Sequence, residues 1–358
     1  MWYRGRNRSK TLCVILSFII IIFFNMHIDF NLSKKILTWY DNNKRNLPWR
    51  VSKNSKNILY YRLLSEFMLQ QTKVNTVIPY FLKFTSKFPN LTSLSKCSEN
   101  EILKLWEGLG YYRRARSLLA TAKILVNKKN SKLPKTIEEI KKFPGIGNYT
   151  ANALCGLVYN TPTIAIDGNV KRIFSRLLNT REENINFEKL IEKSKSKLFN
   201  SGRNADFLEA LMEFGALVCK PQLPNCNKCN LKKNCKYYNT LSKFKNKNKK
   251  KAEFLNYDVF CYLNKKQQIA LTKKNNLGFL KEFNLPKIVK YNKHNKDKWN
   301  FLNRYNNSIS NKKLRLNLYY RFSNKIPADF SWYSLKAHKE FIPTFTKKII
   351  KQVSNLFQ

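Results

Sequence analysis

Phe143 to Arg172, FPGIGNYTANALCGLVYNTPTIAIDGNVKR, places a glycine turn between two helical runs and a lone carboxylate twenty residues further on. Ahead of the turn, Thr136 and Glu139 have the spacing of a capping box that opens a helix, and behind it Tyr149 to Val158 is periodic in apolar residues. The pattern predicts helix, tight turn, helix. Gly145 and Gly147 permit positive φ and close backbone approach, so N–H groups at the start of the second helix can face a phosphate, assisted by the helix dipole. A PGIG turn also serves as a plain helix connection. Asp167 follows the apolar run Thr163 to Ile166 and reads as a catalytic acid or as the N-cap of a helix from Asn169 to Leu178; the two roles are compatible.

Working outward, helical periodicity covers Leu32 to Tyr40, Thr76 to Phe88, Ser98 to Glu107, Arg116 to Val126, Phe187 to Phe199 and Ala205 to Val218. Ser98 and Glu101 form a second capping-box pattern. Leu59 to Lys73 reads as one buried helix, with Leu63, Leu64, Phe67, Met68 and Gln71 at three- and four-residue spacing. Glu66 lies in its middle. A carboxyl among such neighbours is costly to bury ionised, so its pKa should rise toward general acid work; on a polar face it would merely be solvated. Gly108 to Arg114 is a glycine turn with two tyrosines and two arginines, suited to wedging into a base stack or to simple packing at a helix start. No strand-like alternation of any length precedes residue 218, which predicts an α-helical body.

Past Cys235 the character changes. Thr240 to Ala252 carries six lysines and no acid, as a solvated linker would. Tyr257 to Leu263 and Gln267 to Thr272 alternate as a hairpin, Leu314 to Phe322 alternates again, and helices are expected near Trp332 to His338 and Thr344 to Leu356. The expected division is a hydrophobic extension over 1–25, a helical core over 26–238, a Lys-rich linker over 239–252 and a small α+β domain over 253–358.

The extension begins with a basic segment and continues with fourteen apolar or small residues, Thr11 to Phe24. That is shorter than the roughly twenty residues of a spanning helix and closer to a signal anchor. A start at Met26 is the preferred reading, with a membrane tether through residues 11–24 as its competitor. The 68 Lys+Arg against 22 Asp+Glu, a net charge of +46 over 358 residues, suits a polyanionic partner. An AT-rich coding bias, visible in the abundance of Lys, Asn, Ile and Phe, would yield the same excess unaided.

Four of the eight cysteines, Cys219, Cys226, Cys229 and Cys235, fall within seventeen residues, and the rest are scattered. This excludes the disulfide framework of a small secreted chain and indicates a metal centre in a reducing compartment. Spacing alone leaves a [4Fe–4S] cluster and tetrahedral zinc both open.

The x6, x2, x5 spacing resembles the iron–sulfur loop of the endonuclease III superfamily of DNA glycosylases, with the helix-hairpin-helix and Asp167 in the expected order. Within it the sequence resembles the adenine DNA glycosylase branch over roughly residues 32 to 237. Leu47-Pro48-Trp49-Arg50, Ser65-Glu66-Phe67-Met68-Leu69-Gln70-Gln71-Thr72, Trp106 to Tyr112, Asp167-Gly168-Asn169-Val170 and Glu209-Ala210-Leu211 carry the match. The resemblance implies a mainly α, two-lobed glycosylase with a [4Fe–4S] cluster on the four cysteines, followed by a degenerate Nudix-like α+β domain. It implies excision of adenine opposite 8-oxoguanine or guanine in double-stranded DNA, by a cytoplasmic, nucleoid-associated monomer without an obligate protein partner. Glu66 would protonate adenine N7, and Asp167 would stabilise the oxocarbenium-like sugar. Tyr149 and Asn169 would orient the groups around sugar and water. Trp49, Arg50, Gln71 and Glu209 would lie at the base pocket, Tyr111 would intercalate, and Gly145 and Gly147 would meet the backbone. Where bifunctional relatives carry a lysine nucleophile this chain has Tyr149, so strand cleavage is not expected.

In the last domain the family's Gly-Leu-Trp-Glu-Phe-Pro element survives only as Gly278 to Phe283, and Lys312-Lys313 stand about where a Phe-Ser-His element is expected. His294 and His338 match no motif of the family. Competing readings are a thymine–guanine mismatch glycosylase of the same superfamily and a non-catalytic zinc-containing DNA-binding protein.

Overall fold

The structure, a computed structural model, describes residues 28, 30–243, 254–275, 277, 280, 283–291, 297–309, 312–336 and 341–357. The extension 1–25 with its run 11–24, the linker from 244 on, Gly278, Phe279, Lys281, Glu282, His294 and His338 lie outside the described residues.

In chain order the helices are α1 (Leu32–Asn43), α2 (Ile58–Leu69), α3 (Val74–Lys87), α4 (Leu91–Ser95), α5 (Glu99–Leu105), α6 (Arg113–Lys129), α7 (Ile137–Ile140), α8 (Asn148–Tyr159), α9 (Gly168–Leu178), α10 (Phe187–Lys193), α11 (Lys195–Leu198) and α12 (Asn204–Leu217). Strands β1 (Phe254–Asn264), β2 (Gln268–Leu271), β3 (Lys287–Lys290), β4 (Asn300–Ile309), β5 (Lys312–Phe322) and β6 (Ser331–Ser334) follow, and then helix α13 (Thr344–Ser354). Among the described residues no strand precedes Phe254. Among the described residues no helix is long and apolar enough to cross a membrane.

These elements form two compact units: one runs up to Ser95 and resumes at Ala120, and the other joins Lys96–Leu119 to the C-terminal residues. In the first unit α1, α8, α9 and α12 enclose a core around Trp39, Phe174, Phe207 and Phe214, with Trp39 edge-on to Phe214 at 5.0 Å. Helix α2 is apolar nearly all round, as a helix buried on every side must be; Leu63, Leu64, Phe67 and Met68 are fully buried.

The helix starts follow from local chemistry. The Ser98 hydroxyl accepts the Glu101 N–H at 3.2 Å while the Glu101 carboxylate accepts the Ser98 N–H at 2.9 Å, a complete capping box. Thr136 likewise accepts the Glu139 N–H at 3.3 Å. Two stops differ from the periodicity. Helix α2 ends at Leu69 rather than Lys73, because the apolar run ends there; Thr72 N–H closes a turn on Leu69 C=O and Gln71 sits at φ 57°. The run 187–199 breaks at Ser194, whose hydroxyl accepts the Ile28 N–H at 2.8 Å and whose backbone leaves helical geometry.

The second unit holds a six-stranded sheet of order β4-β5-β1-β2-β6, with β3 also pairing β1. β1 and β5 are parallel, from Phe254 opposite Lys313 to Leu263 opposite Phe322, and the other pairs are antiparallel. Helix α13 covers the sheet through Phe345, Ile349, Ile350 and Val353 against Leu314, Leu316 and Leu318. The expected helix near Trp332 is instead strand β6, paired with β2 from Ser331 opposite Leu271 to Ser334 opposite Gln268. Its two aromatics suit a pleated, half-buried surface better than a short helix.

Gly215 in α12 fixes how close α9 comes. A Cβ there would lie 2.5 Å from Asn169 Cβ and 3.1 Å from its Cα, both tied to the start of α9 and unable to rotate away. Gly215→Ala should therefore destabilise the first unit by about 1–3 kcal/mol, the usual cost of overpacking. A denaturant midpoint equal to that of the wild type would disprove this packing.

Candidate active site

The first unit brings together Glu66 of α2, Tyr149 of α8 and Asp167 at the head of α9. Because α2 has no polar face, Glu66 goes into the core with its apolar neighbours and is 5% exposed. Burial dominates and pushes its pKa from 4.5 up to about 7. Arg62 and a hydrogen bond from the Tyr149 hydroxyl pull it down, and the charges of Asp167 and Glu209 push it up. The Tyr149 hydroxyl is itself held well above its ordinary pKa by burial and by Glu66 and Asp167, and it lies 3.7 Å from Met212 Sδ.

Asp167 is in a different setting. It caps α9: Oδ1 accepts the N–H groups of Asn169 at 2.9 Å and Val170 at 2.7 Å, and Oδ2 accepts Asn169 Nδ2 at 2.7 Å. The capping and catalytic readings are thus geometrically compatible. Asn169 is held from behind by Arg172, whose Nη2 reaches Asn169 Oδ1 at 2.7 Å and whose Nε reaches the Cys219 carbonyl at 2.7 Å.

A second charged layer adjoins Glu66. Glu209 is paired with Arg62, hydrogen-bonded by the Tyr40 hydroxyl and ion-paired with Arg50 Nε at 3.2 Å. Arg50 continues to Glu213 at 3.0 Å, which Arg45 grips with two further contacts at 2.7 and 2.8 Å. The guanidinium pair holds Glu213, despite its burial, down at about 2. Sequence reasoning identified Arg50 and Glu209 but missed Arg62, Tyr40, Arg45 and Glu213. Arg62 was legible as the other charge in an apolar helix, one turn before Glu66.

The remaining residues divide. Trp49 is buried edge-on against Phe81 at 5.4 Å. Gln71 is exposed beyond the end of α2, outside the helical face on which its spacing placed it. Gln70 instead bridges to the hairpin, with Nε2 3.3 Å from Thr150 Oγ1 and 3.5 Å from Gly145 C=O. The hairpin has the expected form: Gly145 takes φ 75° and Gly147 caps α8 with open space where a side chain would stand. Tyr111 belongs to the second unit, exposed, at φ 49° and with the Arg114 guanidinium 5.6 Å from its ring.

Cys219, Cys226, Cys229 and Cys235 lie on one loop after α12, and Cys219, Cys229 and Cys235 pack against the helical core. Burial first and the neighbouring thiols next push Cys229 up to about 11. Arg176 Nη1 reaches Cys219 Sγ at 3.3 Å, and Cys235 Sγ lies 3.5 Å from Arg176 C=O. Among the described residues no three His, Cys, Asp or Glu side chains are gathered closely enough to hold a single metal ion.

Residues 64–199, which include Glu66, the hairpin and Asp167, match the profile of the HhH-GPD superfamily base excision DNA repair proteins. The chain is 38% identical over 339 residues to the adenine DNA glycosylase of Buchnera aphidicola subsp. Baizongia pistaciae, covering 89% of this chain and 95% of that relative. The chain belongs to the adenine DNA glycosylase family. It is 37% identical over 210 residues to the adenine DNA glycosylase of Mus musculus, spanning 57% of this chain but 41% of the mouse protein. A solved thermostable thymine-DNA glycosylase superposes with TM-score 0.51 at 28% identity, over 58% of this chain and 95% of that one. Membership fixes the reaction class, hydrolysis of an N-glycosyl bond in DNA, and a helical body followed by a small α+β domain.

Two measurable consequences follow from Glu66 and Arg62. The folded state holds a proton on Glu66 up to about pH 7, whereas an unfolded glutamate releases it near 4.5. Folded protein therefore binds more protons in that window, so this group's contribution to stability falls as pH rises from 4.5 to 7. Glu66→Gln should flatten that part of the stability–pH curve. Arg62→Met should cost about 1–3 kcal/mol, less than the 3–5 of a fully orphaned buried charge because Arg50 and Tyr40 still hold Glu209. It should also move the Glu66 titration further upward, readable in the same pH series; an unmoved titration would show that Arg62 does not act on Glu66.

Proposed function

We propose that this protein removes adenine mispaired with 8-oxoguanine or guanine from duplex DNA and leaves the strand intact. The observation that carries this reading is the buried Glu66, its pKa raised to about 7, beside Tyr149 and the capped carboxylate of Asp167. Glu66 donates its proton to N7 of an extruded adenine, so the base departs neutral with the electron pair of the C1′–N9 bond. Asp167 faces the oxocarbenium-like sugar, and a water adds at C1′ and releases its proton, giving free adenine and an abasic site. Tyr149 and Asn169 are positioning groups. Tyr149 hydrogen-bonds Glu66, and Asn169 donates to Asp167, so each fixes one acid. With tyrosine at residue 149 there is no amine for a Schiff base, which supports a monofunctional enzyme.

The hairpin glycines offer backbone N–H groups for phosphate, Tyr111 supplies an exposed ring for intercalation, and Arg50 and Glu209 belong to the base pocket through the layer behind Glu66. The four thiols of the loop, with Arg176 against them, are a donor set that fits a [4Fe–4S] cluster, held by Cys219, Cys226, Cys229 and Cys235. When bound, such a cluster crosslinks the loop and adds a redox-active group. Lys220 and Lys228 on the same loop are exposed and available to backbone phosphate. The protein is taken to act as a cytoplasmic, nucleoid-associated monomer.

The resemblance to a thymine-DNA glycosylase structure makes thymine opposite guanine the second substrate to test. Single-turnover base release from duplexes with A opposite 8-oxoguanine, A opposite G and T opposite G should show adenine release from the first two and intact strands after mild work-up. The rate should decline as pH rises past about 7, where Glu66 loses its proton, and Glu66→Gln should lower it by at least 10²-fold, the lower range for a lost general acid. Thymine release alone, or full activity in Glu66→Gln, would overturn the assignment. Purified protein should contain iron and acid-labile sulfide, and Cys226→Ser should lose both; stoichiometric zinc would replace the cluster reading with the tetrahedral one.

A further inference from the structure

The hydroxyl of Tyr149 faces two acceptors with one proton. Tyr149 stands at the second position of α8, half-buried, and its hydroxyl hydrogen-bonds both Glu66 of α2 and Met212 of α12, the latter with Oη 3.7 Å from Sδ. Met212 follows Glu209 by three residues on α12 and packs, half-buried, against the same core as Tyr149. Asp167 acts on this hydroxyl through its charge, while its oxygens are engaged by the N–H groups of α9 and the Asn169 amide.

The two acceptors differ in kind. A thioether is a weak, uncharged acceptor, whereas a bond to an ionised carboxylate is roughly twice as strong as a neutral one. Where the Tyr149 proton points therefore depends on the state of Glu66. While Glu66 is protonated, its carbonyl oxygen competes with Sδ as one neutral acceptor with another; once ionised, it wins. A hydroxyl that can turn to Met212 stabilises the protonated site without forming the bond that favours ionised Glu66. The other groups facing Glu66 have no such choice: Arg62 of its own helix favours the ionised form, and Asp167 at the head of α9 and Glu209 of α12 oppose it.

We propose, on the reading of Glu66 as the general acid, that Met212 is a positioning residue whose thioether holds the Tyr149 hydroxyl off Glu66 until Glu66 gives up its proton. As that proton passes to adenine N7, Tyr149 turns its own O–H, which it keeps throughout, to the carboxylate being formed. The bond is then made only as charge develops, which is where it lowers the barrier.

The test is the pH dependence of single-turnover adenine release from a duplex with A opposite 8-oxoguanine, in wild type and in Met212→Leu, a volume-conserving swap without the acceptor. In Met212→Leu the hydroxyl has Glu66 alone, so the midpoint of the fall in rate near pH 7 should move down by about half a pH unit, a roughly threefold loss of rate at about pH 8. Well below the midpoint, where Glu66 is protonated in both proteins, the rates should agree. A side chain that merely packs would lower the rate at every pH. The stability–pH series gives a second readout that needs no substrate. Glu66's contribution, present below 4.5 and lost as pH rises to about 7, should be lost at lower pH in Met212→Leu. Introduced into Tyr149→Phe, which has no hydroxyl to share, Met212→Leu should produce no such shift. An unmoved midpoint, a loss equal at all pH, or the same shift in the Tyr149→Phe chain would overturn the role of Met212. With an active wild type, any of these results leaves the general-acid reading standing; a wild type that releases no base overturns that reading and this role with it.

Discussion

A carboxyl group confined among Leu63, Leu64, Phe67 and Met68 sets the terms for much of the first unit. Burying an ionised carboxylate costs several kcal/mol even after relaxation, so the group must hold its proton or find partners. Glu66 does some of each: burial raises it to about 7, and Tyr149 and Arg62 keep it from rising further. Arg62 in turn is a buried cation that needs its own counter-charge, and Glu209 supplies it. Glu209 draws in Tyr40 and Arg50, and Arg50 draws in Glu213 and, through it, Arg45. The chain of pairs thus starts from one acid on a helix without a polar side and ends at the half-exposed Arg45.

Asp167 sits in a different environment from Glu66, at the head of a helix. Three N–H groups from the head of α9 converge on its two oxygens. That arrangement depends on Asn169 staying where it is, and Gly215 leaves room for it with no side chain of its own. The first unit thus holds two acids in unlike settings, one among apolar side chains and one at a helix N-terminus.

What the sequence disclosed, and what it hid, follows from the range of the interactions involved. Ser98 with Glu101, Thr136 with Glu139 and Asp167 with Val170 are contacts within three residues, so each cap was legible and each is present. The helix–turn–helix around Gly145 was equally local. Strand β4 escaped because NFLNRYNNSI does not alternate apolar and polar residues; it is an edge strand defined by its pairing to β5. β3 is a four-residue segment, KIVK, too short to show a period, and the aromatic run at Trp332 fits strand or helix until β2 pairs with it. In the site, Glu66 and Asp167 carried local signals, whereas Tyr40 and Glu213 acquire their roles from partners 163 to 169 residues away.

The grouping of Lys96–Leu119 with the C-terminal residues is the least local feature, and it bears on Tyr111. The next residue, Tyr112, is buried edge-on against Phe283 and Phe341 at 5.2 and 4.9 Å, and its hydroxyl lies 3.2 Å from Thr344 Oγ1. Lys347 of α13 is paired with Glu107 at 2.7 Å. Between these two anchors, Gly108, Gly110 and Tyr111 all take positive φ, with Arg114 stacked on Trp106 and donating to Leu109 and Gly110 C=O. A non-glycine residue in that region is strained and persists only where its surroundings over-determine it. The surroundings here come in part from the small domain. The C-terminal residues are thus tied to the Gly108–Tyr111 turn, because losing Phe341 or Thr344 would release Tyr112 and with it the backbone that holds Tyr111.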